Sequence, residues 1–295
     1  MKKYIEKFMK DFSYPEEACE ALLHAYAAIA ADKKRCGELE GLKKSYADDK
    51  NCDFAILFEK MDVLCGEADI ARETGRLLLL ICLSERLKDY YAEAGLAEEI
   101  WHTSMQDLKW KMIECKQVHG MWGTASAEFQ SRFFQMKRFG FGRLQFNLQE
   151  LGANYEKDGL ILKPETEVIA VHIPRTGTRL DRESCTASYR QAADFYKRFF
   201  PDKPVVFTCH SWLLFPKNKE VLSTQSNLYA FMSDYDIIER GEYEDYSQVW
   251  RLFDRKYNGD VKSLPQDTSL RRAYADWIRK GEKTGWGYGM YVYKD

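Results

Sequence analysis

Apolar residues in the first part of the chain recur at intervals of three and four, the period that lines them along one stripe of an α-helix. Ala18, Cys19, Leu22, Leu23, Tyr26, Ile29 and Ala30 follow Pro15-Glu16-Glu17 in this way. A proline in a first turn loses no hydrogen bond, and acids suit the positive end of the helix dipole, so a helix starts there. Residues 54–64, 69–94 and 96–118 repeat the pattern, and Gly95 and Gly120 stand where left-handed C-terminal turns close the last two. The spacing predicts an all-helical N-terminal domain over residues 1–135.

The period changes near Phe139. In Arg143-Leu144-Gln145-Phe146-Asn147-Leu148-Gln149 every second side chain is apolar, which predicts a half-buried strand with four polar groups on its other face. Residues 159–162 follow a KDG turn as a further strand, and residues 168–173 and 205–209 are nearly continuous apolar runs, as in strands covered on both faces. Between those two, Tyr189, Ala192, Ala193, Tyr196, Phe199 and Phe200 share a helical face within residues 184–200. Strand, loop, helix and strand in that order predict a right-handed crossover joining neighbouring parallel strands, with the loop at their carboxyl ends, where ligands bind. A helix at 223–233, a strand at 236–242, a helix at 268–280 and an aromatic strand at 286–293 complete residues 136–295. The predicted class is α+β: an all-helical N-terminal domain followed by a mixed β-sheet domain flanked by helices.

Composition narrows the function. Forty-four basic residues against 46 acidic give a net charge of −2, so no chain-wide positive field draws nucleic acid or an anionic membrane. The longest strongly apolar run, residues 77–83, is far short of the roughly 20 residues that span a bilayer. The opening MKKYIEKFMKDF, with lysines and acids in every apolar cluster, resembles neither a signal peptide nor a transit peptide, and the expected compartment is the cytoplasm. Eight cysteines without a CxxC pair read as reduced thiols. His102 and His119 have no cysteine or acid at metal-binding spacing, so no metal is expected.

Three segments carry candidate chemistry. The loop His172-Ile173-Pro174-Arg175-Thr176-Gly177-Thr178-Arg179 ends just before a helix, and residues 175–198 hold six basic residues against three acids. Gly177 lets backbone approach a ligand, and the N–H groups of the helix's first turn, with Ser184, are suited to an anion; an ordinary turn with solvated arginines is the plainer alternative. Cys209-His210-Ser211 ends the next strand, so His172 and His210 would face one cleft as candidate general bases, or be buried and satisfied by carbonyls. Cys209 offers a thiol nucleophile, or a small buried hydrophobe. Asn227 in Ser226-Asn227-Leu228-Tyr229 either caps a helix or bonds an amide-bearing ligand.

With these residues quoted, LQF, VHIPRTGTRL, CHSWLLFP and SNLYAF resemble bacterial acyltransferase-domain proteins with a helical N-terminal domain and a C-terminal domain like the GNAT N-acyltransferase superfamily. The resemblance implies an acyl-CoA co-substrate, acetyl-CoA or another, and a small-molecule or peptide amine acceptor that attacks the thioester directly. It further implies a pyrophosphate cradle at Arg175, Thr176, Gly177, Thr178, Arg179 and Ser184, although Arg175-Thr176-Gly177-Thr178 is a shifted, one-glycine version of the superfamily loop. Pantetheine would pair with the backbone from Val171 to Ile173, and Asn227 would contact the cofactor arm. His172 or His210 would be the base, and Tyr235, or else Tyr229, the acid. A hydrolase or transferase using Cys209, and a non-catalytic coenzyme A or nucleotide sensor on the same fold, are the alternatives.

Overall fold

The computed structural model describes residues 1–201 and 203–294 and divides into two compact units, Met1–Phe139 and Gly140–Asp295. In the first unit the described residues form helices α1 (Lys2–Asp11), α2 (Glu16–Ala30), α3 (Lys33–Asp48), α4 (Phe54–Glu67), α5 (Arg72–Glu93), α6 (Glu98–His119) and α7 (Ala127–Phe134). The helix α5 carries the apolar run and is buried all round it, from Leu77 to Ser84, as expected of a helix enclosed by its neighbours. Asp32 and Asp53 start α3 and α4 by accepting the amides of Arg35 and Ala55. Gly120 ends α6 in the left-handed conformation, as its position in the sequence predicts.

β1 (Arg138–Phe141) lies at the boundary, and β2 (Leu144–Glu150), β5 (Glu167–His172), β6 (Val206–Ser211), β7 (Asp236–Glu242) and β8 (Gly285–Val292) join it in a six-stranded sheet. Its order is β1-β2-β5-β6-β8-β7, and β3 (Tyr155–Lys157) with β4 (Leu160–Leu162) forms a separate hairpin. The helices of this unit are α8 (Arg182–Tyr196), α9 (Asn227–Ser233), α10 (Trp250–Phe253) and α11 (Ser269–Arg279). Strands β5 and β6 are parallel neighbours joined through α8. All other pairings with a defined register among β2, β5, β6, β7 and β8 are antiparallel.

Two of the expected helices are cut short by several residues at one end. The helix expected at 223–233 starts only at Asn227, because Ser226 accepts the Tyr229 amide and residues 223–226 form a turn. The helix expected to run to Phe200 ends at Tyr196 and tightens into a 3₁₀ turn over Lys197–Phe199.

Alternation gives the sheet two different faces. On one, Phe146, Phe207 and Tyr291 pack against Tyr189 of α8, and the Tyr196 hydroxyl donates to the Phe146 carbonyl. Tyr235 lies on this face too: a Cβ added at Gly289 would stand 2.8 Å from the Tyr235 Cβ, so glycine is needed to let the ring lie on the strand. On the opposite face, Val168, Val206, Tyr288 and Met290 form an apolar cluster with Leu151 and Tyr155, flanked by Leu160 and Leu162 of the hairpin. Further along, this face turns polar, with Gln145, Asn147 and Thr208 all buried.

Candidate functional site

Strands β5 and β6 register through only two pairs, Ile169↔Phe207 and Ala170↔Thr208. Beyond them each strand follows its outer neighbour. Val171 and His172 pair with Phe146 and Gln145 of β2, while Cys209, His210 and Ser211 pair with Gly289, Tyr288 and Gly287 of β8. The centre of the sheet therefore parts at the carboxyl ends of its two parallel strands, where an extended ligand can lie along the main chain.

The loop from Ile173 to Asp181 closes this end. Gly177 has φ +70°, a conformation only glycine adopts without strain, and it lies exposed at the tip. The Thr176 and Thr178 hydroxyls are 2.7 Å apart across it. From below, Arg143, in the turn between β1 and β2, donates its Nη1 to the Pro174 carbonyl at 2.7 Å and its Nε to the Arg179 carbonyl at 3.2 Å. Those bonds tie both ends of the loop to one guanidinium, and burial lowers the Arg143 pKa from its ordinary value.

Several expected cradle residues have other duties. Arg175 makes a two-pronged ion pair with Asp254, which also accepts from Arg271. The Ser184 amide goes to the Asp181 carboxylate at 2.9 Å and its hydroxyl to the Asp181 carbonyl at 3.1 Å, so the acid that caps α8 holds the position expected for a phosphate oxygen. Ser226 is the cap of α9, and Asn227 is an exposed first-turn residue rather than the cap. Arg179 is exposed, and β5 ends at His172, leaving Ile173 half-buried beyond it.

The two histidines share a face, since two residues on from the pair Ala170↔Thr208 come His172 and His210. His172 is half-buried, with Nε2 2.7 Å from Asn147 Oδ1. His210 is exposed and lies over Trp286, ring centroids 4.6 Å apart. Tyr235 is on the other face, its hydroxyl 2.6 Å from that of Tyr189. Burial pushes both phenols well above their ordinary pKa, so both stay protonated. The expected acid and bases thus flank the sheet from opposite sides. Tyr229, the second candidate acid, is half-buried with its ring 5.6 Å from Lys219 Nζ.

Cys209 is completely buried, and burial alone pushes its thiol up to about 12. A buried thiol kept protonated is a poor nucleophile, which favours the plainer reading of Cys209 as a small buried hydrophobe. All eight cysteines are free thiols. Among the described residues, no group of three or more His, Cys, Asp or Glu side chains is placed to hold a metal ion, and no helix is long and apolar enough to cross a membrane. Sequence reading missed Arg143 as the anchor of the loop, Asn147 as the partner of His172 and Asp254 as the partner of Arg175. Arg143 and Asn147 had a signal, their places among the four polar groups on one side of an alternating segment; Asp254 had none.

A protein-family model described as a GNAT-like C-terminal domain matches residues 139–291, and one described as an N-acyltransferase N-terminal domain matches residues 3–136. No curated protein matches the chain significantly by sequence. Among solved structures, an acyltransferase in complex with decanoyl-CoA is similar over 98% of this chain and 87% of its own, with TM-score 0.76 and 20% identity. An acyltransferase mutant in complex with octanoyl-CoA is similar over 99% and 88%, with TM-score 0.75 and 20% identity. An acyltransferase in complex with decanoyl-CoA and teicoplanin is similar over 97% and 87%, with TM-score 0.73 and 20% identity.

Proposed function

The chain belongs to the acyltransferase family defined by the GNAT-like C-terminal domain, and from that premise we propose that it moves an acyl group from a coenzyme A thioester to an amine on a small molecule or peptide. The observation that carries this reading is the parting of β5 from β6 beneath a glycine loop, with His172 at the opening. Pantetheine amides would pair with the β5 backbone from Val171 onward. The main chain around Gly177, anchored from below by Arg143, would approach the pyrophosphate. Acyl-CoA in the similar structures supports the donor, and teicoplanin in one of them supports a small-molecule or peptide acceptor.

In the proposed reaction the amine nitrogen attacks the thioester carbonyl carbon. Its proton passes to an imidazole as the C–N bond forms, and the C–S bond then breaks with the electron pair leaving on sulfur. His172 is the better base of the two, because Asn147 holds its ring while His210 lies exposed against Trp286. Tyr235 stays protonated, as a hydrogen-bond donor to the departing thiolate must, and lies on the other face of the sheet. Most of the rate gain would come from holding the two substrates together.

Titration calorimetry with acetyl-CoA and decanoyl-CoA tests the donor, and Gly177→Val tests the loop. Binding of at least one thioester by the wild type, weakened in a folded Gly177→Val, is expected. If neither thioester binds, the reading fails; if binding is unchanged in the variant, the loop drops out of it.

A further inference from the structure

Thr284, the residue before β8, is 8% exposed, and its hydroxyl is fully enclosed without a hydrogen-bond partner. Burying a hydroxyl unpaired costs stability, so a fold that keeps one there points to a ligand that meets it. The hydroxyl borders a small, half-open cavity walled by Trp212, Leu252 and Tyr274. The Tyr274 hydroxyl donates to Asn218 Oδ1, so this tyrosine offers the cavity its ring. The Tyr243 amide donates to the Thr284 carbonyl at 2.8 Å and fixes the main chain at the cavity wall. Since Ser211 pairs with Gly287, the start of β8 lies at the carboxyl end of β6. That is the end at which β5 and β6 part, and Trp212 follows His210 by two residues.

The polar groups of the cavity are donors. Besides Thr284 they are the Tyr243 phenol, the Gln248 amide and the Arg251 guanidinium, and no Asp or Glu is among the described residues that line it. Burial raises the Tyr243 pKa, which keeps that phenol a donor. Arg251 is exposed, lies against the ring of Trp250 at 4.6 Å and forms no ion pair among the described residues. Donors without an acid, one of them a guanidinium, suit a carboxylate, and the aromatic and leucine walls suit an apolar group beside it. We propose that this cavity takes the carboxylate of the amine acceptor, so that the substrates are apolar amino acids or short peptides with a free carboxyl end; this rests on the proposed acyl transfer. Thr284 and Arg251 are then specificity-determining residues, the hydroxyl donating to a carboxylate oxygen and the guanidinium closing the mouth over its charge.

The test offers the full chain acetyl-CoA or decanoyl-CoA together with L-leucine, glycyl-L-leucine or the C-terminal amide of each, and follows the thiol of released coenzyme A. The free acids should react with a KM roughly tenfold or more below that of their amides, the scale of a hydrogen bond to a charged group. Thr284→Val, which exchanges the hydroxyl for a methyl, should melt no lower than the wild type, keep its acyl-CoA affinity and raise the acceptor KM by about the same factor. Arg251→Gln, a surface change, should raise it as well. Equal KM for acids and amides, a KM unmoved in both variants, or no turnover of any of these acceptors by a chain that binds acyl-CoA would overturn the proposal. If neither thioester binds, the acyl-transfer reading falls, and calorimetry with N-acetyl-L-leucine and its amide decides the cavity alone. Binding of the acid that is lost in Thr284→Val would keep the carboxylate site, and no binding of the acid would reject it.

Discussion

At the scale of single residues, burial decides which of the candidate groups can react. Cys209 offers the most reactive side-chain type near the opening, yet burial takes its thiol to about 12, so almost none is thiolate at neutral pH. Cys209→Ser is therefore expected to keep its transfer activity, and iodoacetamide at pH 7 should modify Cys209 far more slowly than free cysteine; rapid labelling with loss of activity would restore the thiol mechanism. The sequence made residue types legible but not partners. His172, Cys209 and Tyr235 stood out by chemistry and by their places at strand and helix ends. That Asn147 holds His172, 25 positions later, or that Asp254 occupies Arg175, 79 positions earlier, depends on strand register and loop paths that no local pattern encodes.

At the scale of elements, caps decide where helices begin and what their first turns are free to bind. The periodicity of α8 was readable, but α8 is capped by Asp181, whose carboxylate takes the amide that a phosphate was expected to take. The hydrogen bond from the Ser184 amide lowers the Asp181 pKa. A carboxylate whose folded pKa lies below its unfolded value, about 3.9, stabilises the fold above that value and loses the contribution as pH falls through the folded pKa. Melting temperature should thus fall less steeply below about pH 4 in Asp181→Asn, which keeps a capping oxygen but does not titrate, than in the wild type. Parallel slopes would mean that the carboxylate charge contributes nothing. A similar displacement by one position separates Asn227 from the true cap of α9, Ser226. Both are good capping types, and only the backbone conformation chooses between them.

At the scale of the whole molecule, the change from helical to strand periodicity near Phe139 was visible in the sequence, and the division between compact units falls after that residue. The short strands β1 and β3 were not, because their four and three residues are too few to show a period, whereas the equally short β4 was marked by the turn before it. Phe207 ties the second unit together. It is fully buried and meets the rings of Phe146, Tyr189, Tyr291 and Tyr293. Phe207→Ala should cost about 3–5 kcal/mol in urea unfolding, the range for emptying a core aromatic site, and a loss below 1 kcal/mol would show that the sheet and α8 repack without it.

The residues proposed for the donor, from Val171 to Tyr235 and with Arg143 anchoring the loop, all lie within the unit Gly140–Asp295. A ligand stabilises the folded form that binds it, by about 2.7 kcal/mol when its concentration is a hundred times Kd. Calorimetric unfolding with and without decanoyl-CoA will show where that free energy enters. Where the two units melt separately, the transition of Gly140–Asp295 should rise with ligand while that of Met1–Phe139 stays fixed; a single cooperative transition should rise as a whole. Movement confined to the helical unit would take the donor away from the parted strands, and with it the base assigned to His172.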